Sequence, residues 1–224
     1  MTTLLIATRN RHKTDEIRAI LGAEVQCLTL NDFPGAPPLV EDAATFAGNA
    51  ARKAEQLAAW LASRPDLALR FPAGGFVMAD DSGLEVDALN GAPGVFSARF
   101  AAMDAGAGGN SSDADNNAKL LRLLADVPLV KRTARFRCAL AVVGVHSPSA
   151  VRRPQIFDGA CEGRISFTPS GQGGFGYDPL FVPDGFAQSF ADQGEEVKNR
   201  LSHRAHALAR LREWLQKQPR QGTR

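Results

Sequence analysis

The order of apolar and polar positions predicts an alternating start to the chain. Residues 3–7, TLLIA, are a short apolar run that reads as a buried strand, and residues 14–21 carry apolar side chains at helical spacing. Residues 24–30 read as a second strand and the alanine-rich residues 42–62 as a long helix, so the opening is βαβα. Residues 75–81 predict a strand that ends in polar residues, and 84–87 a short extended piece before a turn at 90–94. The glycine, alanine and serine of 103–113 predict a mobile loop, with a helix over 114–125 behind it. Strands are expected at 136–145 and 156–167, and Val197, Leu201, Leu208, Leu211 and Leu215 space out one closing helix over 195–216. The stretch 63–75, SRPDLALRFPAGG, reads as a surface insertion.

Composition acts on this picture mainly by exclusion. The 224 residues are 44% hydrophobic, which suits a folded chain of one large domain or two lobes. A net charge of +2 gives no reason to expect a nucleic-acid polymer as partner, and no run reaches membrane-spanning length. Cys27, Cys138 and Cys161 are far apart and form no C-x-x-C pair, which indicates neither a disulfide framework nor a zinc site and fits a reducing cytoplasm. The start, MTTLLIATRNRHK, lacks the order of a secretory signal. Arg210, Arg212, Lys217, Arg220 and Arg224 are expected on a solvated helix face, with 217–224 as a frayed basic tail.

Four stretches carry candidate chemistry. ATRNRHK, 7–13, lies between a strand and a helix, where free amides and the helix dipole favour anions, and Arg9, Asn10 and Lys13 add donors. ADDSG, 79–83, places Asp80 and Asp81 at a strand end; successive strand side chains face opposite ways, so both serve one site only if the strand breaks, as Ser82 and Gly83 suggest. GQGGFGYD, 171–178, matches G-x-G-x-x-G, yet Pro179 and Pro183 follow, so no helix can open there to meet a pyrophosphate and the dinucleotide reading fails. What remains is a flexible glycine run presenting Phe175 and Tyr177 to a flat base. In KNRLSHR, 198–204, Lys198 and His203 diverge by about 140° on one regular helix, but a new helix capped by Ser202 would turn Lys198, His203 and Arg204 to one ligand. Each stretch alone also reads as ordinary: a cationic turn, a turn-capping aspartate, an aromatic core cap, a solvated basic helix. Together they suit a nucleotide with a phosphate tail and a Mg²⁺ ion bridging carboxylates to phosphates.

With these residues in place, the chain resembles the inosine triphosphate pyrophosphatase family, also called the Ham1 family, and its bacterial dITP/XTP pyrophosphatase type. ATRNRHK resembles the family's A-T-x-N-x-x-K, ADDSGLEVDALNGAPGVFSARF its longest signature, GGFGYDPLF its base-binding loop and LSHRAHAL its S-H-R helix start. The resemblance runs nearly end to end. It implies an α/β fold with an elongated mixed β-sheet flanked by helices, a single domain over 1–224 whose two lobes hold the active-site cleft between them, and a homodimer. It implies hydrolysis of ITP, dITP and XTP to monophosphate and pyrophosphate, with Mg²⁺ as cofactor. By the same resemblance Asp81 is the general base, and Glu41 with Asp81 the metal-binding carboxylates. Thr8, Arg9, Asn10, Arg11, His12, Lys13, Ser82, Phe175, Gly176, Tyr177, Asp178, Lys198, His203 and Arg204 are the implied substrate contacts. Many relatives have glycine where His12 stands. Structurally related Maf-like pyrophosphatases are a competing reading, disfavoured by S-H-R after FGYD, and a non-catalytic nucleotide-binding regulator is another.

Overall fold

In the computed structural model of the chain, residues 2–68, 75–106, 109–145 and 153–218 are described. The N-terminal run forms β1 (Thr2–Ile6), which pairs in parallel with β2 (Val25–Thr29) on one side and with β3 (Phe76–Val86) on the other. With β4 (Thr133–Gly144), β5 (Gln155–Ile165) and the short β6 (Phe181–Pro183), which is antiparallel to β5, they complete a mixed six-stranded sheet ordered β2-β1-β3-β4-β5-β6. Helices α1 (Arg11–Leu21), α2 (Phe46–Ala62), the single turn α3 (Pro65–Ala68), α4 (Asp113–Leu123), α5 (Phe190–Leu201) and α6 (His203–Gln216) fill out the α/β fold.

By contacts the chain divides into two units. The first comprises Met1–Asp81, Ala139–Asp158 and Ala207–Arg224, and the second Ser82–Cys138 and Gly159–His206. In the first, the strand residues Leu5, Val77 and Ala79, with Ala7 just past β1, pack with Ala139, Ala141 and Val143 against Ala50, Ala54, Leu57 and Leu61 of α2. That stripe recurs at the three- and four-residue spacing of a helix with one buried face. In the second, Phe136, Phe181 and Phe190 lie ring to ring, with Leu120 and Leu124 of α4 and the Tyr177 ring in the same cluster.

Several expected boundaries move, each for a local reason. Helix α1 begins at Arg11 rather than residue 14, because Asn10 caps it by accepting from the Lys13 amide at 3.1 Å. Helix α2 begins four residues late, at Phe46, where Thr45 accepts from the Gly48 amide at 3.0 Å. The pieces expected at 75–81 and 84–87 are one strand, β3, which passes from the first unit into the second between Asp81 and Ser82. Gly83 lets that strand lie close to its neighbours: a β-carbon there would collide with the Ser97 side chain and the Gly94 carbonyl.

The one closing helix is two. Ser202 is extended, at φ −69 and ψ 158; its amide donates to the Lys198 carbonyl at 2.9 Å and its Oγ accepts from the Ala205 amide at 3.1 Å, ending α5 and capping α6. The basic C-terminal face is not simply solvated, since Arg210 donates to the Asp158 carbonyl and Arg212 to that of Ile20. Lys217 and Gln218 still bond back to Trp214 and Leu215, and the rest of the expected tail, like 69–74 of the expected insertion, lies outside the described residues. The loop expected to be mobile is pinned where it is described: Ser111 bonds to the Ala98 carbonyl and to the Ala102 amide.

Candidate active site

The first unit collects charge around the end of its portion of β3. Strand alternation sends Asp80 and Asp81 to opposite faces, and the strand does not break to reunite them. Asp80, buried, accepts from Lys13 Nζ of α1 at 2.6 Å. Asp81 faces α2, where Asn49 Nδ2 donates to its Oδ2 at 3.0 Å and Lys53 Nζ stands 3.4 Å from Oδ1. Lys53 also donates to the Asp80 carbonyl at 2.8 Å and pairs with Glu41 Oε1 at 3.1 Å, so one buried ammonium ties Glu41 to both aspartates. Burial pushes the Asp81 carboxyl above the usual range, against the pull of Lys53, Lys13 and the Asn49 bond, while Glu41 adds to the rise.

Neither Asn49 nor Lys53 is among the residues anticipated from sequence. A signal existed: both lie one helical turn apart beside the apolar stripe of Ala50, Ala54 and Leu57, where a buried lysine needs carboxylate partners.

The phosphate-loop residues split in their roles. Thr8 accepts from the Asn10 amide at 3.1 Å, Asn10 caps α1, and Arg9 donates to the Ala36 carbonyl at 3.1 Å. Arg11 and His12 are exposed on the first turn of α1, and Lys13 is half-buried behind them.

In the second unit the glycine run is bolted down rather than flexible. Asp178 is buried; its Oδ2 takes the Phe175 amide at 2.8 Å and Lys198 Nζ at 2.5 Å. The Gly173 amide donates to the Ala191 carbonyl at 3.2 Å, and Gly171 has no room for a β-carbon against that same backbone. Phe175 lies over Lys198 Nζ, 4.3 Å from the ring centroid, and is half-buried. Tyr177 is not presented as expected: its ring sits in the apolar cluster and its hydroxyl donates to the Ser97 carbonyl at 2.8 Å. Its core role wins because a phenol beside a free carbonyl can bury its whole ring.

The break at Ser202 is the new helix start that the capped-helix alternative posed. Lys198, His203 and Arg204 are all buried, which no solvated basic helix allows. The His203 ring stacks on Phe136 at 4.8 Å and 15°. Arg204 donates to Ser82 Oγ at 2.9 Å, reaching the first residue of the unit from the last helix start.

The sequence profile of the Ham1 family matches residues 4–214. The chain belongs to the Ham1 family. It is 44% identical over 218 residues, 94% of this chain and 97% of the other, to a protein of Opitutus terrae named dITP/XTP pyrophosphatase. A protein of the same name from Geobacter sulfurreducens is 46% identical over 216 residues, 96% and 97% of the two chains. Among solved structures, a HAM1 protein from Coxiella burnetii matches with TM-score 0.77 at 33% identity, covering 97% of this chain and all of that one. The Staphylococcus aureus Ham1 protein matches with TM-score 0.74 at 32% identity, covering 96% and 98%. The mixed sheet with flanking helices is thus the Ham1 fold.

Proposed function

We propose that the protein hydrolyses the deaminated purine nucleotides ITP, dITP and XTP to the monophosphate and pyrophosphate, keeping such bases out of DNA and RNA. The observation that carries the reading is Asp81, a buried carboxylate whose pKa is raised while two ammonium groups, on Lys53 and Lys13, act on it. A carboxylate raised by burial is a stronger base than a free one, and the lysines suit a polyphosphate. Near full-length identity of 44% and 46% to proteins named dITP/XTP pyrophosphatase supports the substrate class.

Asp81 would take the proton of a water attacking the α-phosphorus in line with the leaving pyrophosphate. Lys13, Lys53, Arg9, Asn10 and the first-turn amides of α1, with Thr8, Arg11 and His12 around them, would balance the phosphate charge. In the second unit Phe175 would offer a ring face to the base, and the Gly176 to Asp178 backbone, Ser82 and Lys198 would be further contacts. His203 and Arg204 would donate to the 6-oxo group; adenine carries an amino group there and would leave those donors unpaired.

Among the described residues no three His, Cys, Asp or Glu side chains gather into a metal cage. Mg²⁺ needs none, because it takes one or two carboxylates and completes its shell with waters and substrate phosphates. Glu41 and Asp81 are oxygen donors that meet at one cation, Lys53 Nζ, and fit that part. When bound, the ion would neutralise phosphate charge and make water more acidic.

A homodimer belongs to the reading. The exposed Leu123, Leu129 and Val130 at the end of α4 and the turn beyond it are the kind of apolar surface self-association uses, and light scattering at twice the 23.9 kDa chain mass is the expected result. A cytoplasmic setting is in keeping with free thiols at Cys27, Cys138 and Cys161. The deciding experiment is incubation with ITP and Mg²⁺. Pyrophosphate and inosine monophosphate should appear together; release of single phosphates, or binding without turnover, would overturn the assignment.

A further inference from the structure

The glycine loop has an anchor on α4 that neither the expected site nor the proposed chemistry uses. Asp113 Oδ2 accepts from the Gly176 amide at 2.6 Å, and Asn117 Nδ2 donates to the Gly176 carbonyl at 2.9 Å. The two side chains are four residues apart on α4, hence on one side of it, and grip both polar groups of a residue held at φ +64. Gly176 directly follows Phe175, whose own amide is taken by Asp178. The ring is therefore fixed from both sides of its α-carbon.

Asn117 shows what the grip displaces. Its Oδ1 is buried without a hydrogen-bond partner among the described residues, a condition that destabilises a fold. A leucine would occupy that place without the penalty but could not hold Gly176. The bracket carrying the grip is itself rigid: Asn116 bonds to Ala101 and Ala98, and Lys119 to the Phe100 carbonyl and Asp104.

We infer that Asp113 and Asn117 are positioning residues that set the Phe175 ring for recognition of the purine base, an inference that rests on the proposed function. They touch no reacting atom, so their effect should fall on base binding and spare the chemical step. In the full-length protein, Asp113→Ala and Asn117→Leu should each raise KM for ITP roughly 5- to 10-fold with kcat held within about 2-fold, the scale of one hydrogen bond to an orienting residue. Asp113→Asn keeps an acceptor oxygen and should return KM to within about 2-fold of the parent. Calorimetry should show inosine monophosphate binding weakened by the same factor and inorganic pyrophosphate binding unchanged. Unchanged KM and inosine monophosphate affinity in both variants would overturn the inference, and so would equal weakening of pyrophosphate, which marks a general loosening. If Asp113→Ala does not fold, Asn117→Leu decides, since it keeps the branched shape and removes a buried oxygen that has no partner among the described residues. A parent protein that binds both ligands but releases no pyrophosphate from ITP would strike the proposed function alone, because the calorimetry still tests the grip.

Discussion

Asp81 carries two opposed demands. Its burial raises the carboxyl pKa above the unfolded value, so between those two values the folded chain binds more protons than the unfolded one. Stability therefore falls as pH rises through that window, and above it the ionised carboxylate weakens the fold. Asp81→Asn keeps the shape and the Asn49 neighbour while removing that charge. Turnover of ITP should drop by roughly 100-fold or more, the scale of a positioned acid or base, with ITP binding retained. With metal chelated, thermal unfolding at pH 7 should show the variant at least as stable as the parent, and the difference should shrink as pH falls below the unfolded carboxylate range. A variant plainly less stable at pH 7 would mean that the contact with Lys53 outweighs the burial. Asp80 is the contrast one residue away: its carboxylate is spent on Lys13 across the other face of the strand.

At the scale of elements, what was legible in the sequence was whatever depends on local pattern. The strand, loop, helix opening, the long alanine-rich helix and the two central strands lie close to their expected places, because apolar spacing dictates them. Long-range partners were not legible. Ser82 and Gly83 look like breakers, yet the strand continues because Gly83 makes room for Ser97 and the Gly94 carbonyl, a contact no local pattern announces. The split at Ser202 could be posed from sequence but not decided. The glycines of 171–176 suggested freedom, whereas Gly171 and Gly174 are there because neighbours approach too closely for a side chain. Gly174→Ala tests this. Its φ of +72 disfavours any side chain, and the new carbon would meet the Asp178 oxygen that holds both Phe175 and Lys198. The left-handed strain alone costs roughly 1–2 kcal/mol, which for a chain of this size lowers Tm by about 2–8 °C. KM for ITP should rise with it. Parental values of both would show that the loop yields freely.

At the scale of the molecule, β3 belongs to both units. Asp81 ends the first unit and Ser82 begins the second, as successive residues of β3; the carboxylate and lysines belong to one, and Phe175, His203 and Arg204 to the other. Under the proposed function a nucleoside monophosphate binds the folded chain and not the unfolded one, so it should stabilise the fold. Inosine monophosphate at about 100 times its Kd adds ~2.7 kcal/mol, which corresponds to a rise in Tm of about 5–10 °C for a chain this long. Adenosine monophosphate differs at the 6-position, where donors of a buried site would be left unpaired, a mismatch able to reject an analogue by roughly 10⁴-fold. At the same concentration it should move Tm by less than about 1 °C. Differential scanning fluorimetry of the parent with the two nucleotides makes the comparison. Equal shifts would mean that the base is not read at its 6-position, and the selectivity assigned to His203 and Arg204 would fall even if ITP hydrolysis stood.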